Sequence, residues 1–217
     1  MGLGYTVPID TIRGKIVKKI TTIISAGFIC LVAPVAYAGH AYINYDAENN
    51  MVISGPFDAV IPKPKGARVG APEHTTEYIQ SEELKISKAG YFGDNQLVIV
   101  QVETTDAGEG TLTNENLPVY KIAGRDFRAR ETCIEISQAE LDADDDPLFE
   151  YVETQNVQIV PAVQAVQLIV TTEDGTGSGA ILYMRNVPDG CDAVTPEFKA
   201  EFDAAFGRFI ESIQTAN

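Results

Sequence analysis

The apolar positions of this chain fall in short runs rich in Val and Ile, which predict β-strands. The clearest early strand runs from Leu97 to Glu103, and the segment from Phe127 to Ile136 alternates with the period of two that supports a strand with mixed faces. Further strands are predicted at 51–61 (one or two short strands), 77–87, 118–123 and 149–160. The segments 62–75 and 104–116, which are rich in Gly, Pro, Thr or Asn, are predicted to be loops.

Two nearly continuous apolar runs, 163–172 and 180–187, predict a β-hairpin. They are joined by Glu173-Asp-Gly-Thr-Gly-Ser-Gly179, whose glycines supply the positive φ that a tight loop needs. A strand with one face in water should alternate. We therefore expect both faces of this hairpin to be covered by a helix, a second sheet or a subunit.

A single strong helix is predicted near the end of the chain. Thr195 is a good N-cap, Pro196 suits the first helical position, and Glu197 complements the positive end of the helix dipole. An apolar stripe then recurs at three- and four-residue spacing, which indicates packing on the sheet. The stripe consists of Phe198, Phe202, Phe206, Phe209 and Ile213.

Many strands followed by one helix predict an α+β fold, with a predominantly antiparallel β-sheet packed by the C-terminal amphipathic helix. The hairpin, the short loop and the Phe-rich helix ending Phe209-Ile-Glu-Ser-Ile213 resemble the Mog1/PsbP-like family over the last quarter of the chain. This resemblance implies an α/β/α sandwich and carries over no functional residues.

The first 38 residues have the order of a secretory signal peptide. A basic region up to Lys19 is followed by an apolar run from Ile20 to Tyr37, and Ala36-Tyr37-Ala38 is a small-x-small cleavage site. We expect residues 1–38 to be removed and residues 39–217 to form a single α+β domain, periplasmic or secreted, with no stable membrane insertion after cleavage. The alternative is a retained anchor, since the run is near the lower length limit for spanning a bilayer.

Cleavage would leave Cys133 and Cys191, an even number of cysteines in an oxidising compartment, and we expect them to form a disulfide. No Cys-x-x-Cys is present, which argues against a redox or metal-binding role for these thiols.

The chain is acidic, with 16 basic and 31 acidic residues and a formal charge of −15. Such a field repels phosphate backbones, so nucleic acid is excluded as an expected partner. The charge is also segregated: residues 131–186 contain Arg185 as their only basic residue, whereas Lys63, Lys65 and Arg68 are clustered. These three are the candidate contacts for a protein partner or for self-association.

An acidic segment, 142–153, has oxygen donors at the spacing of a calcium loop. The five donors would be Asp142, Asp144, Asp146, Glu150 and Glu153. However, Pro147 occupies the position where an EF-hand needs glycine at positive φ, and proline cannot adopt that angle. The favoured interpretation is a solvated acidic loop with no cofactor, and the alternative is a looser Ca²⁺ site.

No constellation of catalytic residues stands out, and His40 and His74 are the only histidines. The leading hypothesis is therefore an exported, acidic, non-catalytic accessory or binding protein of unknown ligand, with no catalytic residue assigned. The alternatives are a carboxylate-based hydrolase and a Ca²⁺-stabilised cell-surface protein.

Overall fold

The computed structural model describes residues 41–79, 82–105, 117–137, 151–152, 154–155, 157 and 161–216. The strands are β1 (Ile43–Tyr45), β2 (Met51–Ile53), β3 (Ala59–Ile61), β4 (Arg68–Val69), β5 (Glu73–Ile79), β6 (Glu82–Phe92), β7 (Leu97–Thr105), β8 (Val119–Ile122), β9 (Arg125–Glu135), β10 (Ala162–Thr171), β11 (Gly177–Asn186) and β12 (Gln214–Thr215). One long helix, α1 (Pro196–Ser212), lies between β11 and β12.

The strands form two antiparallel sheets. The large sheet has eight strands in the order β4-β6-β7-β11-β10-β9-β8, and β5 also pairs with β6, along a different part of that strand from β4. The small sheet has the order β1-β2-β3-β12. Antiparallel sheets and one C-terminal helix confirm the α+β class.

The hairpin of β10 and β11 lies in the centre of the large sheet and is buried on both faces, as predicted. Leu168 pairs with Ile181 on the face that meets α1 and the small sheet, which we call the helix face. Gln167 pairs with Leu182 on the opposite side, the second face. The second face has its own buried apolar cluster, formed by Phe92, Leu97, Ile99, Ile136, Tyr151, Val152, Val163, Ala165, Leu182 and Met184.

Helix α1 begins as the sequence predicts. The Thr195 side chain accepts a hydrogen bond from the Phe198 amide at 3.1 Å, and proline occupies the first helical position. The aromatic stripe packs on the sheet, because the ring of Tyr183 lies 5.5 Å from that of Phe202 and 5.1 Å from that of Phe209. The prediction that the stripe covers the sheet is confirmed.

The glycines between β10 and β11 differ from the prediction. Only Gly175 has a positive φ, of 73°, whereas Gly177 and Gly179 already belong to β11. A Cβ atom on Gly177 would lie 2.8 Å from Pro56, and one on Gly179 would lie 2.2 Å from Phe57. These two glycines therefore allow the Pro56-Phe57 segment to approach the large sheet, and the loop interpretation was wrong for them.

Cys133 of β9 and Cys191 form the predicted disulfide, with Cα atoms 5.7 Å apart. Cys191 begins a single 3₁₀ turn, Cys191–Ala193, which immediately precedes α1. The bond therefore fixes the entry to the helix beside the strand.

Two predicted boundaries were wrong. The loop expected at 62–75 contains β4 and the start of β5, and the single strand expected at 77–87 spans the end of β5 and the start of β6. β5, with the sequence Glu-His-Thr-Thr-Glu-Tyr-Ile, is mostly polar, so the apolar alternation that reveals a strand is nearly absent from it.

The extended segment expected at 149–160 was also wrong where the structure describes it. Tyr151, Val152 and Thr154 are helical. Tyr151 is fully buried, its ring lies 6.0 Å from that of Phe92, and its hydroxyl donates to the Ala71 carbonyl. Tertiary packing has overridden the strand propensity of tyrosine and valine.

Within the described residues, no helix is both long enough and apolar enough to cross a bilayer.

Candidate interaction edges of the large sheet

Large apolar side chains are exposed at the two edges of the large sheet. Among the described residues, those exposed are Tyr78 (72%), Val119 (54%) and Tyr120 (37%). Tyr78 belongs to β5, and Val119 and Tyr120 belong to β8, at the opposite edge. An outer strand presents unpaired backbone groups that can pair with another chain, and exposed apolar side chains add surface that such a chain could cover.

The β8 edge, which we call the basic edge, is rich in cations. Within the described residues β8 pairs only with β9, so its outer backbone groups have no strand partner there. The cations of the β8–β9 hairpin are Lys121, Arg125, Arg128 and Arg130. No described carboxylate forms an ion pair with Lys121, which is exposed. The Tyr120 ring packs edge-on against Phe206 of α1 at 5.7 Å, which anchors the strand.

The β5 edge, which we call the acidic edge, has the opposite charge. Glu73 and Glu77 lie in β5, and Glu82 and Glu83 begin the strand that pairs with it. Among the described residues β5 has β6 as its only strand partner. When Asp126, Glu131 and Glu135 are counted with the cations of β8 and β9, and Lys85 and Lys88 with the acids of β5 and β6, the net formal charges are +1 and −2, so the two edges of the sheet differ in sign.

The register shows which side chains share a face. Directly paired residues across the sheet form one row on the second face: Glu73, Lys88, Gln101, Ala180, Ile169, Arg128 and Val119. Because side chains alternate along a strand, Lys121 lies on the same face as Glu73 and Glu77, whereas Tyr120 and Tyr78 both lie on the helix face. Since neighbouring strands alternate in direction from β5 to β8, these two strands run in the same direction.

A buried polar cluster lies on the second face near the acidic edge. The Glu103 carboxylate accepts hydrogen bonds from the Gln101 amide and from the Ser178 hydroxyl, the latter at 3.4 Å. Burial raises the pKa of Glu103, the hydrogen bond from Gln101 and the charge of buried Lys88 oppose that shift, and the negative charge of Glu77 adds to it. Gln101 Oε1 is buried and has no hydrogen-bond partner among the described residues.

His74 and Ser87 form a pair with the chemistry of a nucleophile and its base, but the hydroxyl is inaccessible. His74 Nδ1 lies 2.9 Å from Ser87 Oγ, and that oxygen also accepts a hydrogen bond from the Tyr42 amide at 3.2 Å. Ser87 is fully buried, so a substrate cannot reach it. The pair links the start of the small sheet to the large one.

The residues predicted as partner contacts lie between β3 and the end of β4. Lys63 and Lys65 are exposed. Arg68 is exposed as well, but its guanidinium donates to the Gln155 carbonyl and lies 5.3 Å from the centre of the Phe92 ring. The role of all three residues as partner contacts stays a prediction.

The proposed calcium ligands lie outside the described residues, as does the predicted signal peptide. Among the residues that are described, no group of three or more His, Cys, Asp or Glu side chains is arranged to hold a metal ion.

The sequence interpretation missed the basic edge. Its signal was the run of cations from Lys121 to Arg130 in an otherwise acidic chain. The alternation of Phe127–Ile136 indicates a strand, but it does not show that the strand lies next to an edge of the sheet.

Comparisons with models of known families, with curated proteins and with solved structures found no match to this chain.

Proposed function

We propose that this chain is an exported, acidic, non-catalytic binding module that recognises a protein through the outer strands of its large sheet. The observation that carries the proposal is the position of the exposed apolar side chains, Tyr78, Val119 and Tyr120, on β5 and β8. An outer strand with free backbone groups can accept an added strand, whose main-chain hydrogen bonds supply affinity and whose side chains supply specificity.

Two features support the location and architecture in this proposal. The disulfide between Cys133 and Cys191 is compatible with an oxidising compartment, either periplasmic or extracellular. The helical residues Tyr151, Val152 and Thr154 support the α/β/α arrangement, since Tyr151 and Val152 pack on the second face, opposite α1.

Site-specific photo-crosslinking in the producing cell tests the binding role. A photoactivatable residue is placed at Tyr78, Val119 or Tyr120, and as a matched control at Glu173 or Pro188, which are exposed away from both edges. We expect discrete protein adducts from the edge positions and none from the controls. Equal adducts at all positions, or none at the edges, would refute a role for the outer strands.

A carboxylate-based hydrolase is the second candidate, favoured by the raised pKa of Glu103 beside the Glu77 charge. A carboxyl group that keeps its proton can act as a general acid. Loss of hydrolysis in Glu103→Gln, with retained hydrolysis in Glu82→Gln, would favour this candidate. Unchanged hydrolysis in Glu103→Gln, or none in the unaltered protein, would dismiss it.

A further inference from the structure

We propose that the basic edge of one copy of this chain binds the acidic edge of a second copy, so that β8 and β5 pair and the large sheet continues from one molecule into the next. This inference rests on the proposed function, because it names the partner of the same outer strands. The inference goes beyond the proposed function because it specifies that identical copies associate head to tail.

Charge and face match in this arrangement. In the shared row, Val119 of one copy comes beside Glu73 of the next, so Lys121, two residues further along, comes beside Thr75. Lys121 then lies between Glu73 and Glu77 on the second face. β5 and β8 run in the same direction within one copy, so continuation of the sheet makes a parallel pair with each face preserved.

The exposed aromatic side chains also fall on one face. Tyr120 of the first copy and Tyr78 of the second both lie on the helix face of the continuous sheet. In this register Tyr120 comes beside His74, whereas Tyr78, which is 72% exposed in the single chain, comes beside Gly124 of the turn that follows β8. Cover of the Tyr120 ring by the added strand supplies an apolar contribution that the charged face lacks.

A symmetric pairing of two basic edges is disfavoured. It would bring Lys121 and the arginines of both hairpins to one seam, and like charges placed opposite each other are destabilising. Pairing of unlike edges leaves one free edge of each kind at the ends of an assembly. The products are therefore a ring or an open chain of copies rather than a closed two-fold dimer.

Reciprocal charge exchange tests the pairing with purified, disulfide-bonded protein. Sedimentation velocity over a range of concentrations is measured for the unaltered chain, for Lys121→Glu and for Glu77→Lys. We expect concentration-dependent association of the unaltered chain, and an association constant about tenfold or more lower in each variant. Glu173→Lys makes the same charge change as Glu77→Lys at an exposed position in the turn between β10 and β11, away from both edges, and should associate like the unaltered chain.

Mixing supplies the decisive result. In each variant alone residues 121 and 77 carry charges of the same sign, but Lys121→Glu mixed with Glu77→Lys again places opposite charges at these two positions, as does the double variant. We expect association to return in both cases. Association that survives both single changes, or that fails to return on mixing, overturns the pairing of β8 with β5.

The outcomes separate the two proposals. If the purified chain is monomeric at every concentration while edge crosslinks in the cell join it to a different protein, the self-association is wrong and the binding role stands. If no crosslink forms at either edge, both are wrong. Crosslinks from Val119 of one copy to β5 of another support both.

Discussion

The ring of Phe57 lies against the backbone of Gly179, so closely that a Cβ atom at residue 179 would be 2.2 Å from Phe57 Cε1. Phe57 precedes β3 of the small sheet, and Gly179 lies in β11 at the centre of the large sheet. The same ring packs edge-on against Phe127 of β9 at 5.1 Å. The missing side chain of one residue thus determines how closely the two sheets can approach.

Replacement of this glycine should be costly. We expect Gly179→Ala to lower the free energy of unfolding by about 1–3 kcal/mol, because the added methyl group displaces the buried Phe57 ring. Gly207→Ala is the matched control in α1, where a Cβ would meet nothing within 4 Å. It should raise stability by up to about 1 kcal/mol through helix propensity. Equal changes in the denaturant midpoint for the two variants would contradict the close packing.

The aromatic stripe of α1 should contribute strongly to stability. Phe202 is fully buried and its ring contacts that of Tyr183, so Phe202→Ala should cost about 3–5 kcal/mol. Ala204→Ser, on the exposed side of the same helix, should cost only about 0.5 kcal/mol. Urea denaturation followed by circular dichroism measures both. A small loss for Phe202→Ala would mean that the helix does not pack as described.

Reduction of the disulfide should destabilise the protein without changing its fold. The bond joins residues separated by 58 positions, and the chain-entropy model gives about 4 kcal/mol for closing such a loop. We expect the free energy of unfolding of the Cys133→Ser, Cys191→Ser double variant to be lower by about 4 kcal/mol, so that it unfolds at a lower denaturant concentration. Thiol labelling of the oxidised, unaltered protein should find neither cysteine reactive, and labelling of both would refute the bond.

The turn between β10 and β11 should make the stability of the protein depend on pH at low pH. Asp174 accepts hydrogen bonds from the Thr172 hydroxyl and from the amide and hydroxyl of Thr176, which lower its pKa from 3.8 to about 2. A lowered folded-state pKa stabilises the protein above pH 3.8, and this contribution is lost as the pH falls towards 2.

We therefore expect Asp174→Asn to be less stable than the unaltered chain near neutral pH, with the difference disappearing between pH 3.8 and about 2. Asp189→Asn, at an exposed position, is the control. A difference that is the same at both ends of this pH range would show that the charge of Asp174 has no part in the turn.

Glu103 should make the stability of the protein depend on pH in the opposite direction to Asp174. Burial raises its pKa above 4.5, so the folded chain holds this proton more tightly than the unfolded chain. Stability must then fall as the pH rises from below 4.5 through the raised pKa. Glu103→Gln should remove that part of the fall, whereas exposed Glu82→Gln should not. Parallel curves of unfolding free energy against pH for the two variants would contradict the burial of the charged form.

Sequence alone predicted the elements that bury a regular apolar pattern. Helix α1 was predicted from its cap to its stripe, because Thr195 and Pro196 act locally and the spacing of phenylalanines reflects one face. The central hairpin was predicted for the same reason. β5 was not predicted, because an outer strand buries few side chains and so has little apolar pattern. The role of Gly179 was not predicted, because it depends on contact with Phe57, which is far away in the sequence.

The two edges could not be predicted in the same way. Lys121 and Glu77 are ordinary surface charges in the sequence, and only the strand order places them at opposite ends of one sheet. The cysteine pair was predicted from the expectation that residues 1–38 are removed, since Cys133 and Cys191 then leave a single intramolecular pairing. Face and register are properties of the assembled sheet, and alternation along one strand does not reveal them.

β12 also affects when folding can finish. Gln214 and Thr215 complete the small sheet by pairing with β3, and the Ala216 amide approaches the Asp58 carbonyl at 3.5 Å. A nascent chain that ends before α1 lacks both the cover of the helix face and the outer strand beside β3. The early segments therefore cannot reach the packing described here until α1 and β12 have joined them.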